Sequence, residues 1–135
     1  MIGARIDHVA VAVKDLDRIA ALYTQTLGFR QIYRETIGDQ GVEALGLQVG
    51  DSVIELLRPL DEQNAVARWR GDHEARLHHI AYQVADLEAE IGRLKIAGCR
   101  MLDDTPRRGA HNNRIAFIHP SSTAGVLTEL CQRAS

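Results

Sequence analysis

The chain has 135 residues, 45% of them hydrophobic and 25% charged, and a formal net charge of −2. This is the size and make-up of one ordinary soluble domain, long enough to bury a core. Acidic and basic residues are mixed without a basic stripe, and the apolar N-terminal run is short, interrupted by Asp7 and His8, and lacks a cleavage pattern, so nucleic-acid binding, a membrane span and a secretory leader are not expected.

In chain order, residues 5–13 alternate β-branched and small residues and read as a strand. Asp15 is placed as a helix N-cap, residues 18–26 carry helical spacing, and Gly28 supplies the stop. Strands follow over residues 30–36, 42–49 and 52–58. Gly50-Asp51 marks a hairpin turn between the last two, and Pro59 closes the set. Residues 60–75 form a polar connection with a short helix expected over 64–69. The second part then starts again: a strand over 77–84, an Asp86 cap, a helix to Ala97, and strands near 100–103, 113–119 and 126–132. Cys99 and Cys131 belong to no CxxC pair and read as buried thiols, which suits a reducing cytoplasm.

The second part is a copy of the first. IDHVAVAVKDLDRI overlies LHHIAYQVADLEAE with an offset of 71, which sets His8 on His79 and Asp15 on Asp86. Later, VIELL overlies LTELC with an offset of 74, which sets Glu55 on Glu129. Each half therefore carries one histidine early and one glutamate late. Side chains alternate along a strand, so His8 shares a face with Ala10 and Ala12, and the valines turn toward the covering helix. His79 likewise shares a face with Ala81 and Gln83, and Glu55 and Glu129 each sit between aliphatic neighbours. A carboxylate in such a place is costly unless a cation offsets it. Two imidazoles and two carboxylates suit one divalent ion such as Zn, Co, Ni, Mn or Fe, with positions left open. One half alone would read as a hydrogen-bonded histidine and a solubilising glutamate; repetition in register makes His8, Glu55, His79 and Glu129 the expected ligands. His78 faces the other way, and His73, His111 and His119 have no repeat partner and read as surface or loop residues.

The motifs IDHVAVAV, DQGVEALGLQVG, VIELLRPL, LHHIAY and RIAFIHPSSTAGVLTEL resemble the vicinal oxygen chelate superfamily (glyoxalase, bleomycin resistance and dioxygenase proteins), and within it the methylmalonyl-CoA epimerases. The resemblance implies an α+β fold in which two paired βαβββ modules, about 5–59 and 76–133, form an open eight-stranded barrel around a metal site within a single domain of residues 1–135. It implies the same four ligands, a small-molecule acyl-CoA substrate, a homodimer, and proton transfer at C2 of methylmalonyl-CoA through a metal-stabilised enolate. Glu129 is the first candidate for the acid–base role. The resemblance also suggests a second carboxylate after the QGV turn, where Glu43 is the nearby choice. Some relatives carry that glutamate three residues after the glycine, and Glu43 is only two after Gly41. A regular strand would turn it to the opposite face, and a bulge would be needed to bring it back. The basic loop 107–114, with Arg107, Arg108, His111 and Arg114, reads either as a contact for the CoA end or, residue by residue, as a solvated loop. A glyoxalase I-like isomerase uses the same ligands, and a metal-free ligand-binding resistance protein shares the fold; the C-terminal motif weighs against the first and the full ligand set against the second.

Overall fold

A computed structural model describes residues 5–134; residues 1–4 and 135 of the expected domain lie outside it. The described chain divides into two compact units, one of residues 8–78 and one of residues 79–134 together with 5–7. Each has the order strand, helix, three strands that the repeat predicts.

In the first unit, β1 (Ile6–Val13) leads to α1 (Leu16–Ala21) and then to β2 (Arg30–Ile37), β3 (Val42–Val49) and β4 (Ser52–Pro59). The strand order is β2-β3-β4-β1: β3 pairs antiparallel with both neighbours, and β4 runs parallel to β1. Asp15 caps α1 by accepting from the Arg18 amide at 3.1 Å. Past Ala21 the helix widens into a single π turn, Leu22–Thr26, where residues 18–26 were expected to be one regular helix. Val11, Val13, Leu45, Leu47 and Leu56 point to the α1 side and pack with Leu16, Ile19 and Ala20 into a closed core. Each such fully buried aliphatic contributes about 1.5–3 kcal/mol relative to exposure. A two-residue turn at Gly50-Asp51 joins β3 to β4, with Val49 opposite Ser52 and Gly50 at a φ of 57°. The connecting helix α2 (Ala65–Arg70) is capped by Asn64, which accepts from the Val66 amide at 2.7 Å.

The second unit repeats this plan. It is built from β5 (Ala75–Gln83, whose first residues belong to the first unit), α3 (Leu87–Ile96), β6 (Arg107–Arg108), β7 (Arg114–Ile118) and β8 (Thr128–Gln132). The order is β5-β8-β7-β6, with β5 parallel to β8. Asp86 caps α3 as Asp15 caps α1, accepting from the Ala89 amide at 3.1 Å. Val84, Leu87, Ile91, Leu94, Ala116, Ile118 and Leu130 close the core beneath the helix. The start of β1 is tied into this unit: the Arg5 carbonyl accepts from the Gln83 amide, and Asp7 accepts from Arg133 Nε at 2.8 Å.

The strand expected near 100–103 is reduced to one bridge, Met101 with Ile118, and β6 begins only at Arg107. The reason is local. Asp103 Oδ2 accepts from the Phe117 amide at 2.9 Å and so takes a donor that a ladder partner would use. No helix among the described residues is long and apolar enough to cross a membrane.

Candidate functional site

Within the first unit, register fixes which side chains share a face. Ala10 lies opposite Glu55 and Ala12 opposite Leu57, and on the far side of β4 Gly46 is opposite Glu55 and Ala44 opposite Leu57. Paired residues point the same way, so His8, two strand residues before Ala10, shares this face with Glu55. It is the face turned away from α1, and it carries the small residues Ala10, Ala12, Ala44 and Gly46. Within the second unit, Ala81 lies opposite Glu129, which in turn lies opposite Phe117. His79 shares that face, and its Nε2 stands 2.9 Å from Glu129 Oε2. The imidazole meets the Phe117 ring edge-on, with centroids 5.0 Å apart, which limits its rotation.

All four expected ligands are buried: His8, Glu55 and His79 are 5% exposed and Glu129 is 2% exposed. A charged carboxylate so far from water costs several kcal/mol unless cations or donors offset it. Each unit thus presents one imidazole nitrogen and one carboxylate on the sheet face away from its helix. That donor chemistry fits a borderline divalent ion.

The first unit adds a residue that the sequence pattern did not reveal. The Tyr33 hydroxyl donates to Glu55 Oε2 at 2.5 Å. Tyr33, Gly46 and Glu55 form one row across β2, β3 and β4. A β-bulge between Gln31 and Tyr33 sets the phase of that row. The sequence placed Tyr33 only within the strand expected over 30–36; the bulge and the 22-residue separation hid the contact.

Glu43 does not join this face. It lies opposite Thr36 and Arg58, one residue out of phase with Gly46, on the α1 side of the sheet. The bulge that would have returned it is in β2, not in β3. Its carboxylate accepts from Arg34 Nε at 2.8 Å and from Arg58 Nε and Nη2 at 3.1 Å. Arg34 continues the network to Asp17 on α1 at 2.7 Å. Arg34 first, and Arg58 after it, hold the Glu43 carboxyl below its ordinary 4.5 against an opposing push from partial burial.

The other histidines stand apart. His78 meets Trp69 edge-on at 6.5 Å, beside the Arg76 guanidinium that stacks 3.9 Å above the indole. His119 Nδ1 accepts from the Ser121 amide as a turn cap, His73 is exposed, and His111 is exposed with a left-handed φ of 58°. In the basic loop, Arg107 reaches Asp103 and Arg114 pairs with Glu88. Cys99 and Cys131 form no disulfide.

The family model of the glyoxalase/bleomycin resistance protein/dioxygenase superfamily matches residues 7–117. The ethylmalonyl-CoA/methylmalonyl-CoA epimerase of Cereibacter sphaeroides is 41% identical over 134 residues, covering 98% of this chain and 99% of its own. The human mitochondrial methylmalonyl-CoA epimerase is 34% identical over 129 residues, covering 95% of this chain and 73% of its own. A solved methylmalonyl-CoA epimerase in complex with methylmalonyl-CoA and NH4+ has a TM-score of 0.95 at 38% identity, covering all of this chain and 97% of that one. The chain belongs to the glyoxalase/bleomycin resistance protein/dioxygenase superfamily and, within it, to the family of the methylmalonyl-CoA epimerases.

Proposed function

We propose that this protein interconverts the two C2 epimers of methylmalonyl-CoA, with one divalent ion held jointly by His8, Glu55, His79 and Glu129. The observation that carries the reading is the duplicated buried pair. Each unit turns one histidine and one glutamate onto the sheet face its helix leaves open, at positions the sequence repeats. The relatives' names supply the substrate.

The C2 hydrogen of such a thioester lies between a carbonyl and a carboxylate, and its removal builds negative charge on oxygen. A bound divalent ion supplies positive charge for that oxygen. The protein's own part is to hold that chemistry in a water-poor place and to move the proton. Glu129 would take the C2 proton from one face on a carboxylate oxygen, held beside the His79 imidazole at 2.9 Å, and a proton from water would be delivered to the opposite face of the planar carbon to complete the inversion. Glu43 has no part in this transfer, because two arginines engage it on the opposite face of β3. The protein works as a cytoplasmic homodimer, a reading that rests on the family resemblance.

Deuterium incorporation at C2 in D2O tests the function, with cobalt-loaded and chelator-treated protein run side by side on methylmalonyl-CoA and ethylmalonyl-CoA. Metal-dependent exchange with loss of stereochemical purity is expected. A verified metal-loaded sample that leaves C2 unexchanged in both substrates would overturn the reading.

A further inference from the structure

We infer that Tyr33 is a positioning residue for the metal site: its hydroxyl engages Glu55 Oε2 and leaves Oε1 as the single oxygen offered to the ion. The inference rests on the proposed role of Glu55 as a ligand.

The contact is short, and its acceptor is a carboxylate, so it belongs to the strong class of hydrogen bonds. It is also built into the sheet at three levels. The β2 bulge between Gln31 and Tyr33 brings Tyr33, not its neighbour, into register with Gly46 and Glu55. The strand between them carries a glycine where a side chain would collide. A Cβ on Gly46 would lie 2.2 Å from Tyr33 Cε2 and 2.3 Å from Cζ, well inside van der Waals contact. Gly46 sits in the middle of a buried strand, where glycine is unfavourable by itself and marks close approach by another group. Here that group is the phenol ring, lying flat over the strand to reach Glu55.

The contact is not imposed by the repeat. In the second unit the residue opposite Glu129 is Phe117, which offers no donor and packs on His79 instead. The phenol beside Glu55 is therefore a feature of the first unit and not of the repeat. Partners behind a metal ligand orient it and tune its affinity, and their loss typically weakens metal binding by about 10–100-fold. A glutamate pinned at one oxygen would favour binding an ion through the other, and the ion would then supply positive charge to a substrate oxygen.

Cobalt(II) titration of the apo-protein reads this directly, through the dissociation constant and the visible spectrum of the bound ion. Tyr33→Phe keeps the ring over Gly46 and removes only the hydroxyl. It is expected to weaken Co(II) binding roughly 10–100-fold and to change the visible bands, with the apo-protein still folded and its unfolding midpoint lowered by the loss of one buried charge-assisted bond. Gly46→Ala keeps the hydroxyl but pushes the ring aside, and it should reproduce the affinity loss. Combining it with Tyr33→Phe should add little to either alone, because both break one contact. Glu55→Ala serves as the control on the underlying reading. If Glu55→Ala binds Co(II) as wild type does, Glu55 is no ligand and the metal assignment itself fails. If Glu55→Ala loses affinity and Tyr33→Phe keeps the wild-type constant and spectrum, the inference about Tyr33 is overturned and the ligand set stands.

Discussion

Glu43→Gln separates a structural clamp from a catalytic base. In the folded protein Glu43 accepts three hydrogen bonds from two guanidiniums, at 2.8 and 3.1 Å. Charge-assisted bonds of this kind contribute about 1.5–3 kcal/mol each when buried. Arg34 and Arg58 are each 39% exposed, however, so solvent screening and side-chain entropy reduce the whole set to about 1–2 kcal/mol. Glutamine keeps one acceptor and loses the charge, and should therefore lower stability at pH 7 by about that amount. In urea this is a midpoint lower by roughly 0.5–1 M. The pH dependence gives an independent check. A carboxyl whose folded pKa lies below its ordinary 4.5 stabilises the protein fully above 4.5, and that contribution is lost as pH falls through the folded value. The gap between wild type and Glu43→Gln should thus be constant from neutral pH to about 5 and close at lower pH. Epimerase turnover at pH 7 should stay within a few-fold of wild type. A hundredfold loss of turnover with an unchanged urea midpoint would refute the argument and return Glu43 to the proton path.

Other outcomes follow from the same geometry. His79→Ala should abolish tight Co(II) binding in an equilibrium titration, whereas His78→Ala should leave it intact, because His78 packs on Trp69. Leu56→Ala, at a fully buried core position, should cost about 2–5 kcal/mol in a denaturant titration. Asp86→Ala removes the α3 cap and should cost about 1 kcal/mol, read as a lower thermal midpoint.

The main lines of the fold were legible because duplication writes each signal twice. Asp15 and Asp86 announce two caps, and Gly28 and Gly98, at φ of 85° and 93°, mark two helix stops. His8 with His79 and Glu55 with Glu129 were found by that same repetition, and period-two alternation put each pair on the open face of its own unit. What escaped was non-local. Tyr33 needs a bulge and the register of three strands before it meets Glu55, and neither leaves a mark in hydrophobic alternation. Residues 100–103 failed as a strand because Asp103 satisfies the Phe117 amide from its side chain, a competition that propensity does not register. The π turn after Ala21 is equally silent, since its residues suit an ordinary helix. The side on which Glu43 lies follows from counting: one residue of phase on β3 places it with the arginines.

The row beside each carboxylate is where the two copies have parted company. One reads tyrosine, glycine, glutamate; the other sets phenylalanine directly beside glutamate. A symmetric pair of separate chains must carry the same residue at both equivalent positions, because a single gene encodes both. Joining two copies in one polypeptide lifts that restriction. One glutamate can then be anchored by a phenol while its twin, with phenylalanine beside it, is left to a different use. The inequality of Gly46 and Phe117 is in this sense the dividend of duplication: it allows a division of labour that no homodimer of single modules could encode.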